Sequence, residues 1–226
     1  MTIRNSIIQR RGCAAFVILY AAFCGVAGTG QAEPSRYEGF APSAKELARV
    51  QKLTPEHFAE TVTIEDDELE PVATFTTLKG YKSGGWRFTD TVRSDNFLRA
   101  FVSKRTGAAR YQLYETISYT GEWRMFRSAN YASPDGPVHA NLVVIDRDVS
   151  CQYGVCTYKE HVGFDLSEEQ LRALAATYVP GASPLWRFRF KARSGLDWED
   201  RMSPAEAAGM LAAVDRWRKD HGKAAQ

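Results

Sequence analysis

The sequence predicts an α+β protein in which an antiparallel sheet is covered by helices near the two ends of the chain. Between residues 72 and 165 the chain is rich in Thr, Val, Tyr, Phe and Trp, with turn residues at short intervals. This pattern is typical of consecutive antiparallel strands. Helical patterns are concentrated instead before residue 54 and after residue 166. We therefore expect a β-meander of about six to eight strands packed by helices near the N- and C-terminal ends.

The first predicted helix covers residues 43–53. Ser43 and Glu46 have the spacing of a capping box, in which each side chain bonds a backbone N–H at the helix start. Apolar residues follow at helical intervals until Thr54-Pro55, which is expected to end the helix. The acidic run at residues 65–68 is expected to be a solvated loop, because it lacks the ligand spacing of a Ca²⁺-binding loop.

The β-rich region divides into strands that are bounded by residues favouring tight turns. The clearest of these turn signals is Ser-Pro-Asp-Gly-Pro at residues 133–137. Hairpin connections between neighbouring strands make one continuous meander the simplest topology. The predicted strands are 72–79, 86–93, 96–104, 110–120, 123–131, 139–148 and 156–164.

The last part of the chain contains two helices with a strand between them. Capping boxes begin at Ser167 and at Ser203, which pairs with Glu206 and is followed by Pro204 at the first helical position. An apolar stripe along the final helix predicts that it packs against the sheet. Residues 185–193 alternate apolar and basic side chains, which is the pattern of a strand with one buried face.

Residues 1–32 have the three parts of a secretory signal peptide: a positive start, an apolar run at residues 14–26 and a stretch of small residues. We expect cleavage to leave one globular domain, residues 33–226, in the periplasm or outside the cell. The alternative is an uncleaved anchor in the inner membrane, although a membrane span needs about 20 apolar residues. Contact with a membrane is otherwise expected only through this segment of the precursor.

Removal of the leader changes the charge of the protein. The 29 basic residues of the chain fall to 26 when the three arginines of the leader are lost, against 27 acidic residues. The mature protein is then close to neutral. This balance removes the bulk electrostatic argument for a nucleic acid as partner.

Two cysteines, Cys151 and Cys156, remain after cleavage because the other two lie in the leader. An even pair in an exported protein predicts a disulfide, here across the neck of a hairpin. The alternative is a zinc site in which both thiolates join His139 and His161. Oxidation would consume the thiolates, so the disulfide is favoured and no metal or cofactor is expected.

The predicted strand 185–193 carries the candidate ligand-binding residues. Alternation places its four basic side chains on one face, about 7 Å apart, where they could bind phosphate, carboxylate or an acidic glycan. The alternative is a solvated face whose charges are paired with acidic side chains of neighbouring elements. The four residues are Arg187, Arg189, Lys191 and Arg193.

The sequence contains no G-x-S-x-G, H-E-x-x-H, P-loop or Rossmann glycine motif. We therefore expect a non-catalytic binding or assembly module of the cell envelope, whose partner is an anionic small molecule or glycan, or another envelope protein. One alternative is a hydrolase or metal-dependent enzyme with a His/Cys site, in which strand pairing brings His139 and His161 together near Cys151 and Cys156. The other is a purely structural partner of an envelope protein, marked by an exposed apolar patch.

Overall fold

Two mainly antiparallel sheets and four helices make up the part of the chain that the computed structural model describes. The predicted α+β class is therefore confirmed. The predicted leader, residues 1–32, lies outside the described residues, and so does most of the predicted strand 86–93. The described residues are 37–39, 43–77, 81–83, 92–182 and 185–224.

The helices are α1 (Ala44–Val50), α2 (Pro55–Thr61), α3 (Glu168–Ala175) and α4 (Pro204–Ala224). The capping box of α3 is confirmed, because Ser167 accepts from the Gln170 N–H and Gln170 bonds back to the Ser167 N–H. Pro55 does not simply end a helix: it lies in the first turn of α2, with Thr54 as the N-cap. A proline fits there because the first helical N–H has no intrahelical partner.

The strands agree with the prediction over most of their lengths. Two differences matter for the site: the predicted strand 139–148 is divided between β8 and β9, and β12 was not predicted. The strands are β1 (Tyr37–Gly39), β2 (Thr63–Glu65), β3 (Val72–Thr76), β4 (Tyr81–Ser83), β5 (Val92–Ser103), β6 (Ala109–Thr120), β7 (Phe126–Ser133), β8 (Gly136–Asn141), β9 (Val143–Gln152), β10 (Val155–Leu166), β11 (Trp186–Ala192) and β12 (Asp197–Met202).

The strands form two sheets where the sequence predicted one. The larger sheet has the order β2-β3-β5-β6-β10-β9, with β4 also paired to β5, and the smaller has the order β1-β12-β11-β7-β8. The larger sheet follows the expected meander as far as β6, but β7 and β8 leave it to join β11 and β12. Two sheets let aromatic inner faces bury one another, which a single open sheet cannot do.

The core contains side chains from both sheets and from α4. Phe188 and Phe190 of β11 pack against Phe164 of β10, with ring centroids 6.0 and 5.9 Å apart. Helix α4 packs on β3 and β5 and lies against α2, where a Cβ on Gly209 would come within 2.4 Å of the Phe58 Cβ. Within the described residues, no helix is long and apolar enough to cross a membrane.

Candidate functional site

The basic side chains of β11 lie on the outer side of the five-stranded sheet. Phe188 and Phe190 alternate with them and are buried in the core. Because α4 packs on the other sheet, the final helix leaves this surface accessible. Arg187 keeps 55 % of its side chain exposed, and Lys191 keeps 37 %. We call this surface the basic face.

A carboxylate of β12 lies among the guanidinium groups of the basic face. The Glu199 Oε1 atom is 2.8 Å from Arg187 Nη2, and its Oε2 atom is 2.7 Å from Arg189 Nη2. Arg201 adds a third guanidinium group, with its Nη2 atom 4.0 Å from Glu199 Oε1. Burial by itself raises the pKa of Glu199, but the bonds from Arg189 and Arg187 outweigh it and the pKa is lowered. Glu199 is therefore an anion at neutral pH.

Lys191 extends the basic face along β11. The Lys191 ammonium donates to Asp197 Oδ2, and the other oxygen of Asp197 accepts from the Ala192 N–H at 2.9 Å. Arg193 follows the last residue of the strand and is exposed. Carboxylates of the neighbouring strand β12 thus pair with basic side chains of β11. This agrees with the alternative expectation of a solvated face whose charges are paired with acidic side chains.

The ion pairs of the basic face group more cationic side chains than carboxylates. Among the described side chains, two carboxylates, Asp197 and Glu199, lie within 4.0 Å of four cationic groups. The cationic residues are Arg187, Arg189 and Lys191 of β11, together with Arg201 of β12.

A shallow depression of about 360 Å³ opens on the basic face. Its lining includes Arg187, Arg189 and Glu199, together with Asn130 of the adjacent strand β7. His139 stands opposite Asn130 on β8, and its Nδ1 atom is 3.1 Å from the Asn130 Oδ1 atom. The depression therefore offers charged and neutral hydrogen-bonding groups from three neighbouring strands to one ligand.

The structure confirms the predicted disulfide between Cys151 and Cys156. It joins β9 to β10 beside a turn in which Tyr153 and Gly154 both have positive φ, 51° and 79°. The bond uses the thiolates that the zinc alternative requires. Among the described residues no group of three or more His, Cys, Asp or Glu side chains is placed to hold a metal ion.

The two histidines of the enzyme alternative lie in different sheets. His139 is on β8 of the smaller sheet, whereas His161 is on β10 of the larger one. The His161 Nδ1 atom contacts the Thr116 hydroxyl at 3.1 Å. The strand pairing that could have brought the histidines together is therefore not formed, because β8 pairs with β7 while β10 pairs with β6 and β9.

The β9–β10 hairpin exposes apolar side chains of the kind that the structural-partner alternative requires. Val144, Ile145 and Val149 of the edge strand β9 are each at least 40 % exposed, and Tyr153 and Val155 are exposed at the tip. Asp146 and Asp148 interrupt this surface. Charges on an edge strand oppose pairing with other strands, so the binding of another envelope protein here stays a prediction.

The structure also buries carboxyl groups that carry no sequence signal. Glu115 of β6 accepts from the Trp198 indole at 3.2 Å, and Ser94 of β5 donates to Asp200 of β12. Burial, followed by the charge of Asp200, raises the pKa of Glu115 well above its usual value. Glu115 and Asp200 are 1 % and 0 % exposed, so this cluster joins the two sheets and is closed to a substrate.

Glu160 is a second buried carboxylate, and it organises the loop before β7. It accepts hydrogen bonds from the Tyr119 hydroxyl, from the backbone N–H groups of Met125 and Phe126, and from Arg147 Nε. These bonds hold Met125 in a left-handed conformation with φ of 55°. Because both of its oxygens are engaged, Glu160 has a structural role.

Comparison with models of protein families, with curated proteins and with solved structures found no match to this chain. The fold alone does not identify an activity, since one architecture serves many functions. The accessible group of charged side chains on the basic face is therefore the basis for a functional proposal.

Proposed function

We propose that this protein is an exported, non-catalytic binding module of the cell envelope that holds an anionic group on the basic face. The observation that carries the proposal is the grouping of three guanidinium groups around Glu199. All three lie within 4.0 Å of one carboxylate. A phosphate, carboxylate or sulfate group of a ligand can bind guanidinium groups placed in this way through charge-assisted hydrogen bonds.

Glu199 positions the arginines for this role. Arg187 donates through both Nε and Nη2 to Glu199 Oε1, at 3.0 and 2.8 Å, which fixes the plane of its guanidinium group. Arg189 is held by the other carboxylate oxygen. Side chains that are already ordered lose less conformational entropy when a ligand binds.

Export is supported by the leader pattern of residues 1–32. The Cys151–Cys156 disulfide is compatible with an oxidising compartment. The near-neutral charge of the mature chain means that anion binding depends on a local cluster and not on the whole surface. A small ligand or an acidic glycan fits this description better than a long nucleic acid.

Retention on an anionic resin tests the proposal. The triple variant Arg187→Gln/Arg189→Gln/Glu199→Gln removes two of the three guanidinium groups together with the carboxylate that they share. It lowers the net charge by one, and so does the control Arg105→Gln, which changes an exposed arginine of the β5–β6 turn. We expect the triple variant to elute from a phosphate resin at lower salt than both the wild type and the control.

Equal elution of the triple variant and the wild type would refute the proposal, provided that circular dichroism shows the variant to be folded. Arg193→Gln is a second variant for the case in which the triple one is unstable. Arg193 is exposed beyond the end of β11, so its replacement leaves the core unchanged. It is expected to reduce retention by a smaller amount.

A further inference from the structure

An apolar groove of about 660 Å³ lies beside the basic face. It is lined by α3, by the β7–β8 hairpin and by the first residues of β11. Its lining includes the aromatic rings of Tyr131 and Trp186 and the aliphatic side chains of Val138 and Leu174. Sites for small molecules have volumes of about 300–1,000 Å³ and are lined mainly by such side chains.

The polar atoms of the two aromatic side chains already have partners inside the protein. The Trp186 indole N–H donates to the carbonyl oxygen of Ala132 at 2.7 Å, and Gln170 Nε2 donates to the Tyr131 hydroxyl. The two rings pack at a centroid distance of 5.4 Å. What they offer to the groove is therefore apolar surface, which favours an apolar occupant.

The groove adjoins the depression on the basic face. Tyr131, Ala132, Ser133 and Arg187 line both cavities. Arg187 thus stands at the junction between an apolar surface and the guanidinium cluster. This arrangement matches a ligand in which an apolar body and an anionic group are joined.

Two carboxylates in the lining restrict where an anionic group can be placed. Asp135 of the hairpin turn and Glu169 of α3 both line the groove, whereas Arg187 is the cation among its described lining residues. An anion is therefore repelled by the carboxylates and attracted at the Arg187 end. The groove therefore has an apolar interior and one cationic end, where an anionic group is most favourably placed.

We propose that the ligand of this protein is an anionic amphiphile whose apolar chain lies in the groove and whose carboxylate or phosphate group contacts Arg187. This inference rests on the proposed function and adds to it the chemical class of the ligand. The depression with Arg189 and Asn130 receives the remaining polar atoms of the head group.

Calorimetric titration of the exported protein with hexanoate, octanoate and decanoate tests the inference. Each methylene group buried in the groove is expected to increase affinity about fourfold. Because the groove is partly open, we expect a total increase of at least about tenfold from hexanoate to decanoate. Decyl phosphate, titrated in parallel, distinguishes a phosphate head group from a carboxylate one.

A variant that fills the groove tests whether the apolar chain of the ligand binds there. Ala173 is an exposed residue of α3 in the groove lining, so Ala173→Trp places an indole in the groove without changing the core. Decanoate is expected to bind this variant no better than hexanoate does, while retention on the phosphate resin is unchanged. The control is Ala48→Trp, at an exposed position of α1.

Three results would overturn the inference. They are equal affinities of hexanoate and decanoate for the wild type, full binding of decanoate by Ala173→Trp, and tighter binding of decyltrimethylammonium than of decanoate. None of these results affects retention on the phosphate resin, which tests the proposed function by itself. If affinity does not depend on the length of the ligand's chain but retention on the resin is normal, the amphiphilic ligand is rejected and anion binding by the basic face is retained.

Discussion

We expect the free energy of unfolding of this protein to fall as the pH rises from mildly acidic to neutral, because Glu206 is buried. Its side chain is fully buried near the start of α4. There it accepts from the Thr77 hydroxyl and from the Leu98 N–H at 3.3 Å. Burial raises the pKa of Glu206 to about 8, although these hydrogen bonds act in the opposite direction. A buried charge without a cationic partner is costly, so the protonated form is favoured.

The sign of the effect follows from proton binding. A carboxyl group whose pKa is higher in the folded protein holds its proton more tightly when folded. The stability it contributes is complete below the unfolded pKa of 4.5 and is lost as the pH rises through about 8. Stability falls by about 1.4 kcal/mol per pH unit well above the unfolded pKa and more gently close to it, so the loss from pH 4.5 to pH 7 is about 3 kcal/mol.

Glu206→Gln measures this contribution, because glutamine keeps an acceptor oxygen but does not ionise. Urea unfolding of the disulfide-bonded protein at pH 4.5, 5.5, 6.5 and 7.5 would give the free energy of unfolding of both proteins. The difference, variant minus wild type, is expected to rise by about 3 kcal/mol between pH 4.5 and 7. Glu65→Gln, on the exposed strand β2, is expected to show no such rise. A difference for Glu206→Gln that is constant with pH would refute the reasoning.

Two further predictions concern packing and the hairpin. Gly209→Ala is expected to lower the free energy of unfolding by about 3 kcal/mol, because the new Cβ would lie 2.4 Å from the Phe58 Cβ. Urea unfolding would measure this loss. The control is Ala212→Gly at an exposed position of α4, which is expected to lower the free energy of unfolding by only about 1 kcal/mol. Replacing both Cys151 and Cys156 by serine is expected to cost about 2 kcal/mol, as for a short closed loop. Retention on the phosphate resin should not change, so its loss would link the hairpin to the basic face.

The sequence predicts β11 well because the alternating pattern that marks the strand lies within its own residues. From Trp186 to Ala192 each inward side chain is apolar and each outward one is basic, and the structure buries Phe188 and Phe190 accordingly. Strand β12, Asp-Trp-Glu-Asp-Arg-Met, has no such alternation, because acidic residues occupy both of its faces. Their burial depends on arginines of β11 on one side and on Glu115 and Ser94 on the other. That information lies in distant segments, so no local pattern could reveal it.

The candidate site was also predicted only in part, because part of it depends on contacts between distant segments. The basic residues of β11 could be named from the sequence, but Arg201 and Glu199 could not, because their strand was not recognised. The groove was also missed, since its lining comes from α3, from the β7–β8 hairpin and from Trp186. Likewise, the separation of His139 from His161 follows from the division of the strands between two sheets. Which strands pair is decided by non-local contacts, and local periodicity does not report it.

Glu199 connects the stability of the fold to the proposed binding of an anion. Its carboxylate and the ligand's anionic group compete for the same guanidinium groups of Arg187 and Arg189. In the free protein Glu199 lowers the repulsion among these cations, which stabilises the strand pair β11–β12. The same carboxylate also repels the ligand, so the affinity of the site reflects the charge that is left after internal pairing. A surface built in this way favours a ligand that adds apolar contacts next to its charge, and such contacts are available in the groove beside Arg187.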